Sequence, residues 1–139
     1  MKNLTSILLL FSCFFCLAQE VKKQNVYLHF DSNSKKTYLV EVNGKNIKEK
    51  FYTKGIKKDG EITFYIDKEM FLSNKKQADT CSVIYLKNIK ISNIEDLKKD
   101  VDKINPLYPY KVYPNLFLIE KINDSTIVKY KVRWEYYIE

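Results

Sequence analysis

Glycine and histidine are scarce in this sequence, and their scarcity excludes several kinds of site. The chain of 139 residues has three glycines and a single histidine, His29. Three scattered glycines do not make a glycine-rich phosphate loop, which excludes nucleotide sites of that kind. With one histidine, a zinc site would need Cys81 and two carboxylates from distant segments. The sequence therefore predicts no cofactor and no metal site, and it identifies no catalytic residue.

Cysteine is equally limited. Two of the three cysteines, Cys13 and Cys16, lie in the apolar N-terminal segment, which leaves Cys81 alone in the rest of the chain. A single cysteine cannot form an internal disulfide and usually packs as a small apolar residue. A nucleophile pair of Cys81 and His29 would require a fold that brings their strands together. The alternation around His29 places it opposite the apolar side of its strand, so we expect a surface histidine.

Arginine is almost absent, although the chain is basic. The formal net charge is +7, and Arg133 is the one arginine among 24 basic residues. Proteins that bind nucleic acids depend on arginine for bidentate contacts to phosphates and bases. No block of five or more basic residues occurs either. We therefore expect no nucleic-acid partner, and instead an unidentified protein or a component of the cell envelope.

A targeting segment stands at the N-terminus. Lys2 precedes an apolar stretch over residues 4–17, and the small residue Ala18 follows. The stretch covers about fifteen residues, whereas a membrane-spanning helix needs about twenty. This pattern is typical of a secretory signal peptide over residues 1–18, with cleavage before Gln19. It predicts a periplasmic or secreted protein with no transmembrane segment in the mature chain.

A lipoprotein signal is the alternative. Leu10 and Ser12 stand three and one residues before Cys13, as in a lipobox. The bulky Phe11 between them fits that pattern poorly, and aromatic residues follow Cys13 where a polar tether is expected. Lipidation of Cys13 would anchor the protein to a membrane.

The remaining residues, 19–139, are predicted to form a single globular domain, because 121 residues can bury a core without disulfides. Alternating apolar residues predict strands near residues 26–30, 38–42 and 62–66. Asn43 and Gly44 form a strong hairpin signal, with a return strand over residues 45–52. Asp59 and Gly60 predict a further turn.

The centre of the chain is less regular. Residues 69–72 are compatible with one helical turn, residues 73–80 with a loop, and residues 81–86 with a strand in the middle of the sheet. One helix is clear: Ser92 and Glu95 form a capping box, and Asn105 with Pro106 ends the helix. Its apolar stripe consists of Ile94, Leu97, Val101 and Ile104.

Two strands are predicted after the helix, over residues 116–122 and from Thr126 onwards. The last strand alternates cleanly, with an expected core face of Thr126, Val128, Tyr130, Val132, Trp134 and Tyr136. Its other face carries Lys129, Lys131 and Arg133, which would protect the strand from unwanted pairing if it lay at a sheet edge. Together these elements predict an α+β fold, with a mostly antiparallel sheet of five to seven strands and one helix packed on a face.

The best candidate binding residues lie between the helix and the last two strands. Tyr108, Tyr110 and Tyr113 are interspersed with prolines, which restrict a loop before it binds. Tyrosine offers a flat apolar face with a hydroxyl that tolerates water, and at least two of these rings should be exposed if they bind a ligand. The sequence thus favours an exported, non-catalytic interaction module. The alternatives are a small glycan-binding domain that uses these tyrosines, and a small secreted enzyme.

Overall fold

The computed structural model describes residues 24–34, 38–42, 45–46 and 60–136, and for residues 38–42, 45–46 and Lys75 it describes the backbone only. The predicted signal peptide, Cys13, the turn at Asn43 and Gly44, and most of the return strand lie outside the described residues.

The described residues form one sheet of nine strands with few helices, and seven of these strands have five residues or more. All strand pairs are antiparallel except those of β1 with β7 and with β8. The predicted α+β class with a mostly antiparallel sheet is therefore confirmed. The strand order is β3-β2-β4-β5-β9-β8-β1-β7, and β6 also pairs with β9. The strands are β1 (Val26–Phe30), β2 (Tyr38–Val42), β3 (Lys45–Asn46), β4 (Glu61–Ile66), β5 (Glu69–Asn74), β6 (Ala78–Ser82), β7 (Ile91–Ser92), β8 (Leu116–Lys121) and β9 (Thr126–Glu135).

Helix α1 (Ile94–Ile104) follows β7 and confirms the predicted helix. The expected capping residue is wrong by one position: Asn93, not Ser92, is the N-cap, and its side-chain oxygen accepts a hydrogen bond from the Glu95 amide. Ser92 is the last residue of β7, paired with Leu28, and is therefore held in the sheet. An asparagine oxygen satisfies a free amide of the first turn as well as serine does.

The helix packs on one face of the sheet through its apolar stripe. Ile94, Leu97 and Val101 are buried, and Ile104 is half-buried against the same cluster. Side chains from β1, β4, β5, β8 and β9 complete this main core, including Phe30, Phe64, Phe71, Leu118 and Trp134. Burial of large apolar side chains on this scale supplies most of the driving force for folding.

A smaller apolar cluster covers the opposite face. Its buried residues are Tyr27, Ile119 and Ile127. A 3₁₀ helix (Val83–Asn88) lies over them, after Ser82 accepts a hydrogen bond from the Ile84 amide. The expectation that residues 81–86 lie in the middle of the sheet is therefore wrong. The strand ends at Ser82, and the apolar residues that follow pack over the smaller cluster as part of the 3₁₀ helix.

The segment before it also differs from the sequence expectation. Residues 69–72 belong to β5, which forms a hairpin with β4, and part of the expected loop belongs to β6. Asp67 and Lys68 connect β4 to β5 with positive φ angles of 47° and 71°. Two consecutive residues in this region are typical of a tight hairpin turn, in which asparagine and glycine are commoner. The turn therefore lacks the asparagine and glycine from which a hairpin is usually predicted.

The last strand, β9, lies inside the sheet and not at an edge. It pairs with β8 on one side, and with β6 and then β5 on the other. Its buried Val132 and Trp134 lie on the predicted core face, whereas Tyr136 is 52% exposed. The interpretation of Lys129, Lys131 and Arg133 as edge protection is therefore wrong.

Within the described part of the chain, every helix is too short or too polar to cross a bilayer.

Candidate functional site

The tyrosine-rich segment folds into a short helix, α2 (Pro109–Val112). Proline favours the first turn of a helix because its φ angle is preset and its missing N–H would have no partner there. Tyr108 precedes the helix and is 45% exposed, Tyr110 is half-buried, and Tyr113 at its end is only 2% exposed. The expectation that at least two of the three rings are exposed is not met.

Tyr113 anchors the segment to the rest of the fold. Its ring lies nearly parallel to that of Trp134, with 6.4 Å between centroids and 14° between planes. Its hydroxyl donates a hydrogen bond of 2.6 Å to Asp100 Oδ2 on helix α1. Burial raises the pKa of Tyr113 above its usual value, and the hydrogen bond to Asp100 raises it further. The residue thus joins α1, α2 and β9.

A cleft of about 490 Å³ lies between this segment and strands β4, β5 and β9. We call it the Tyr110 cleft. Its lining combines aromatic, amide, hydroxyl and charged side chains, contributed by Glu61, Leu72, Ser73, Asn74, Gln77, Tyr110, Tyr113, Pro114, Lys131, Val132 and Arg133. Two of the three tyrosines identified from the sequence, Tyr110 and Tyr113, are therefore brought together here, while Tyr108 lies beside the cleft against Tyr110.

An interruption of the sheet creates one wall of the cleft. Leu72 of β5 pairs with Arg133, whereas Ala78 of β6 pairs with Tyr130. Residues 73–77 therefore face only residues 131–132, so this edge holds extra residues that bulge away from β9. A 3₁₀ turn (Lys75–Gln77) accommodates them.

Ser73 and Asn74 stabilise this bulge. The buried Ser73 hydroxyl donates a hydrogen bond of 2.7 Å to the Lys131 carbonyl, which faces the bulge instead of a regular strand partner. The Asn74 side-chain oxygen accepts a hydrogen bond of 3.0 Å from the Lys76 amide at the start of the 3₁₀ turn. The Ser73 bond replaces a ladder bond for the partly buried Lys131 carbonyl, whereas the Asn74 bond caps the exposed start of the 3₁₀ turn.

The rim of the cleft carries cations that lie over aromatic rings. The Arg133 guanidinium lies 5.8 Å from the centroid of the Tyr110 ring. Tyr110 meets Tyr108 edge to face at 6.0 Å, and Lys111 Nζ lies 4.5 Å from the Tyr108 centroid. Arg133 also forms an ion pair through Nε with Glu135. The rings and the guanidinium thus restrain one another before any ligand is bound.

His29 and Cys81 do not form a site together. Their strands, β1 and β6, are separated by β8 and β9, which corresponds to about 14 Å at the usual strand spacing. Cys81 is half-buried and packs against the smaller apolar cluster. The described residues contain no group of three or more histidine, cysteine or acidic side chains suited to a metal ion.

A second cleft of about 350 Å³ places His29 with Asp67, Ser92 and Glu95. A histidine near carboxylates is the arrangement that would favour an enzyme. Leu28, however, pairs with Ser92, and side chains of successive strand residues project to opposite faces. His29 therefore projects away from the face that carries the Ser92 hydroxyl, so Ser92 is not placed as its nucleophile. Asp67 and Glu95 do line the same cleft as His29, and this is the observation that favours the enzyme alternative.

Sequence reasoning missed most of the residues that line the Tyr110 cleft. The alternation of the last strand predicts edge protection as the role of Lys131 and Arg133, and the irregular pattern of residues 73–80 predicts a loop that contains Ser73, Asn74 and Gln77. No local signal in the sequence marks these residues as a site, because Lys131 and Arg133 continue the charged alternation of Lys129 and Glu135 along the same strand.

The lining of the Tyr110 cleft is suited to binding a polar ligand with an apolar face. Tyr110 supplies a ring, Asn74 and Gln77 supply amides, and Glu61 supplies a hydrogen-bond acceptor. The lining contains neither histidine nor cysteine, the usual bases and nucleophiles. No protein-family model, curated protein or solved structure matches this chain, so the cleft itself is the basis for assigning a function.

Proposed function

We propose that this protein is an exported, non-catalytic interaction module of the periplasm or cell exterior, whose ligand binds in the Tyr110 cleft. The cleft is the observation that carries the proposal. Its volume of about 490 Å³ lies within the range of roughly 300–1,000 Å³ that is usual for small-molecule sites. Its walls come from a sheet and from a helix anchored by Tyr113, and such rigid walls reduce the entropy lost on binding.

An oligosaccharide is the ligand class that this lining supports best. A sugar ring has an apolar C–H face and a rim of hydroxyls. The Tyr110 ring suits the face, while Glu61, Asn74 and Gln77 suit the hydroxyls. A protein partner, the other class favoured by the sequence, would be better supported by a broad flat apolar surface.

Export is proposed from residues 1–18. We expect a mature chain that begins at Gln19 and is released without a lipid anchor. The intact mass of the protein recovered from the cell envelope or the medium tests this directly. A mass that includes a diacylglycerol group on Cys13 would establish the lipoprotein alternative instead.

Binding is tested by titrating the purified exported protein against a panel of neutral and acidic oligosaccharides in a calorimeter. We expect at least one oligosaccharide to bind and Tyr110→Ala to abolish that binding. Tyr136→Ala is the matched control, because Tyr136 is exposed and lies outside the cleft lining. If no oligosaccharide of the panel binds, or if Tyr110→Ala binds like the wild type, the glycan-binding proposal is wrong.

A further inference from the structure

The charged residues of the Tyr110 cleft are unequally distributed. Lys131 and Arg133 lie on the same face of β9, two residues apart, and both are exposed. Glu61 is the one acidic residue in the cleft lining. The lining therefore carries two cations against one anion, and Glu135, which lies outside the lining, forms an ion pair with Arg133. The excess positive charge that would attract a negatively charged group thus rests mainly on Lys131.

The position of β9 leaves these cations without a role in protecting a sheet edge. The strand is paired on both sides, and the bulge at residues 73–77 opens the sheet beside Lys131 and Val132. The two basic side chains thus lie on either side of Val132, where the cleft borders β9. An exposed cation at the rim of a cleft attracts a negatively charged ligand and repels a positively charged one.

Arg133 is oriented before a ligand arrives. Tyr110 lies beneath its guanidinium at 5.8 Å, and Glu135 pairs with its Nε. A guanidinium has five N–H donors. Since the contact with Glu135 is made through Nε, a ligand would accept hydrogen bonds from the terminal nitrogens. The Arg133 side chain is 62% exposed, so a ligand can approach it. A planar carboxylate matches the geometry of a guanidinium through two parallel hydrogen bonds.

We infer that the ligand of the Tyr110 cleft is an acidic oligosaccharide whose uronic-acid carboxylate binds between Lys131 and Arg133 while a sugar ring packs on Tyr110. This inference deepens the proposed function and rests on it. The carboxylate accepts hydrogen bonds from both cations, and Glu61 with the amides of Asn74 and Gln77 binds the hydroxyls. Because the Arg133 guanidinium lies over one face of the Tyr110 ring, the sugar packs against the part of the ring that the guanidinium leaves open. Arg133 thus donates to the ligand and also restrains the ring beneath it.

The test compares two probes with the same sugar backbone: oligogalacturonate and its fully methyl-esterified form, in which the carboxylate charge is removed. We expect the acidic form to bind about tenfold more tightly, since a charge-assisted hydrogen bond contributes more than a neutral one. Its affinity should fall when salt is raised from about 0.05 M to about 0.5 M, because screening shortens the reach of the cations. The affinity of the esterified form should stay nearly constant over that range.

Lys131→Gln and Arg133→Gln identify the residues responsible. Each substitution should reduce the preference for the acidic form, and the double variant should abolish it while the esterified form still binds. Lys90→Gln, which removes an exposed cation outside the cleft, should leave the preference unchanged. Circular dichroism verifies that each variant is folded.

The outcomes separate this inference from the proposed function. If both forms bind equally and salt has no effect, the charge-based inference is wrong while glycan binding stands. If neither these probes nor any other oligosaccharide of the panel binds, both are wrong. If Lys90→Gln reduces the preference as strongly as Arg133→Gln does, the attraction comes from the net charge of the protein and the assigned residues are wrong.

Discussion

The hydroxyl of Tyr113 donates a hydrogen bond of 2.6 Å to Asp100 Oδ2, and this bond joins the tyrosine-rich segment to helix α1. Because the Tyr113 ring also lies against Trp134, a single side chain connects the helix, the cleft wall and the central strand of the sheet. The position of the cleft wall relative to β9 therefore depends on a residue that is itself almost completely buried.

Tyr113→Phe should destabilise the protein by about 1.5–3 kcal/mol, the usual net contribution of a hydrogen bond to a charged group, because the ring stays and only the hydroxyl that donates to the Asp100 carboxylate is lost. Urea unfolding monitored by circular dichroism measures the change. Tyr136→Phe removes a hydroxyl from an exposed ring and should change the free energy of unfolding by less than about 0.5 kcal/mol. Equal effects of the two substitutions would contradict the anchoring role of Tyr113.

Leu97 occupies the centre of the interface between α1 and the sheet, where it is 6% exposed. Leu97→Ala should cost about 2–5 kcal/mol, since it removes buried methyl groups and leaves a cavity. Lys99, two residues along, is exposed and pairs with Asp96 at 3.4 Å on the helix surface. Lys99→Ala should cost less than about 0.5 kcal/mol, because exposed ion pairs contribute little. Similar urea midpoints for both variants would contradict the orientation of the helix.

These two positions also illustrate what the sequence could predict. The apolar stripe of α1 has the helical period, and the period alone indicates that Leu97 is buried and Lys99 exposed. The local alternation of β9 likewise predicts that Val132 and Trp134 are buried. Ile127 is fully buried on the other face of the same strand, because a 3₁₀ helix covers that face locally. Such a cover depends on contacts between distant segments, which alternation does not report.

The cleft could not be predicted from local sequence patterns, because it too depends on contacts between distant segments. Whether β9 lies at an edge or inside the sheet depends on which strands pair with it, and the β5 hairpin was hidden by a turn of Asp67 and Lys68. The bulge at residues 73–77 exists only relative to the register of β9. The tyrosine-rich segment could be singled out from composition, whereas the burial of Tyr113 follows from its contact with Trp134, which is 21 positions away in the sequence.

Alkaline pH should destabilise the protein through the half-buried Tyr130. Burial, together with the charge and hydrogen bond of Glu120, raises the pKa of Tyr130 to about 12. A tyrosine in the unfolded chain titrates near pH 10, so above that value the unfolded state loses protons that the folded state retains. The contribution is fully present below about pH 10 and is lost as the pH rises towards about 12.

Tyr130→Phe should therefore reduce the decline in stability between about pH 9 and about pH 11.5, even if it lowers stability at every pH. The decline is measured as the change in urea midpoint over that interval. Tyr108→Phe, which alters an exposed ring, is the matched control and should retain the wild-type decline. An unchanged decline in Tyr130→Phe would show that other groups govern the alkaline transition.

Ser73→Ala should destabilise the protein by about 1 kcal/mol, because the buried Ser73 hydroxyl no longer donates its partly buried hydrogen bond to the Lys131 carbonyl. The same substitution should weaken binding in the Tyr110 cleft, since Ser73 holds the bulge that forms its wall. Ser34→Ala changes a serine in the turn after β1, away from the cleft lining, and should leave binding unchanged. A destabilised Ser73→Ala variant with full affinity would mean that the wall keeps its shape without this bond.

His29→Ala and Cys81→Ser should leave ligand binding unchanged. His29 projects from β1 away from the face that carries Ser92, and Cys81 packs against the smaller apolar cluster three strands away. Neither residue lines the Tyr110 cleft. Calorimetric titration of both variants should therefore give the wild-type affinity, whereas Tyr110→Ala should bind no ligand. If an activity is found that either substitution abolishes while circular dichroism shows an intact fold, the protein is an enzyme, and the non-catalytic proposal is wrong.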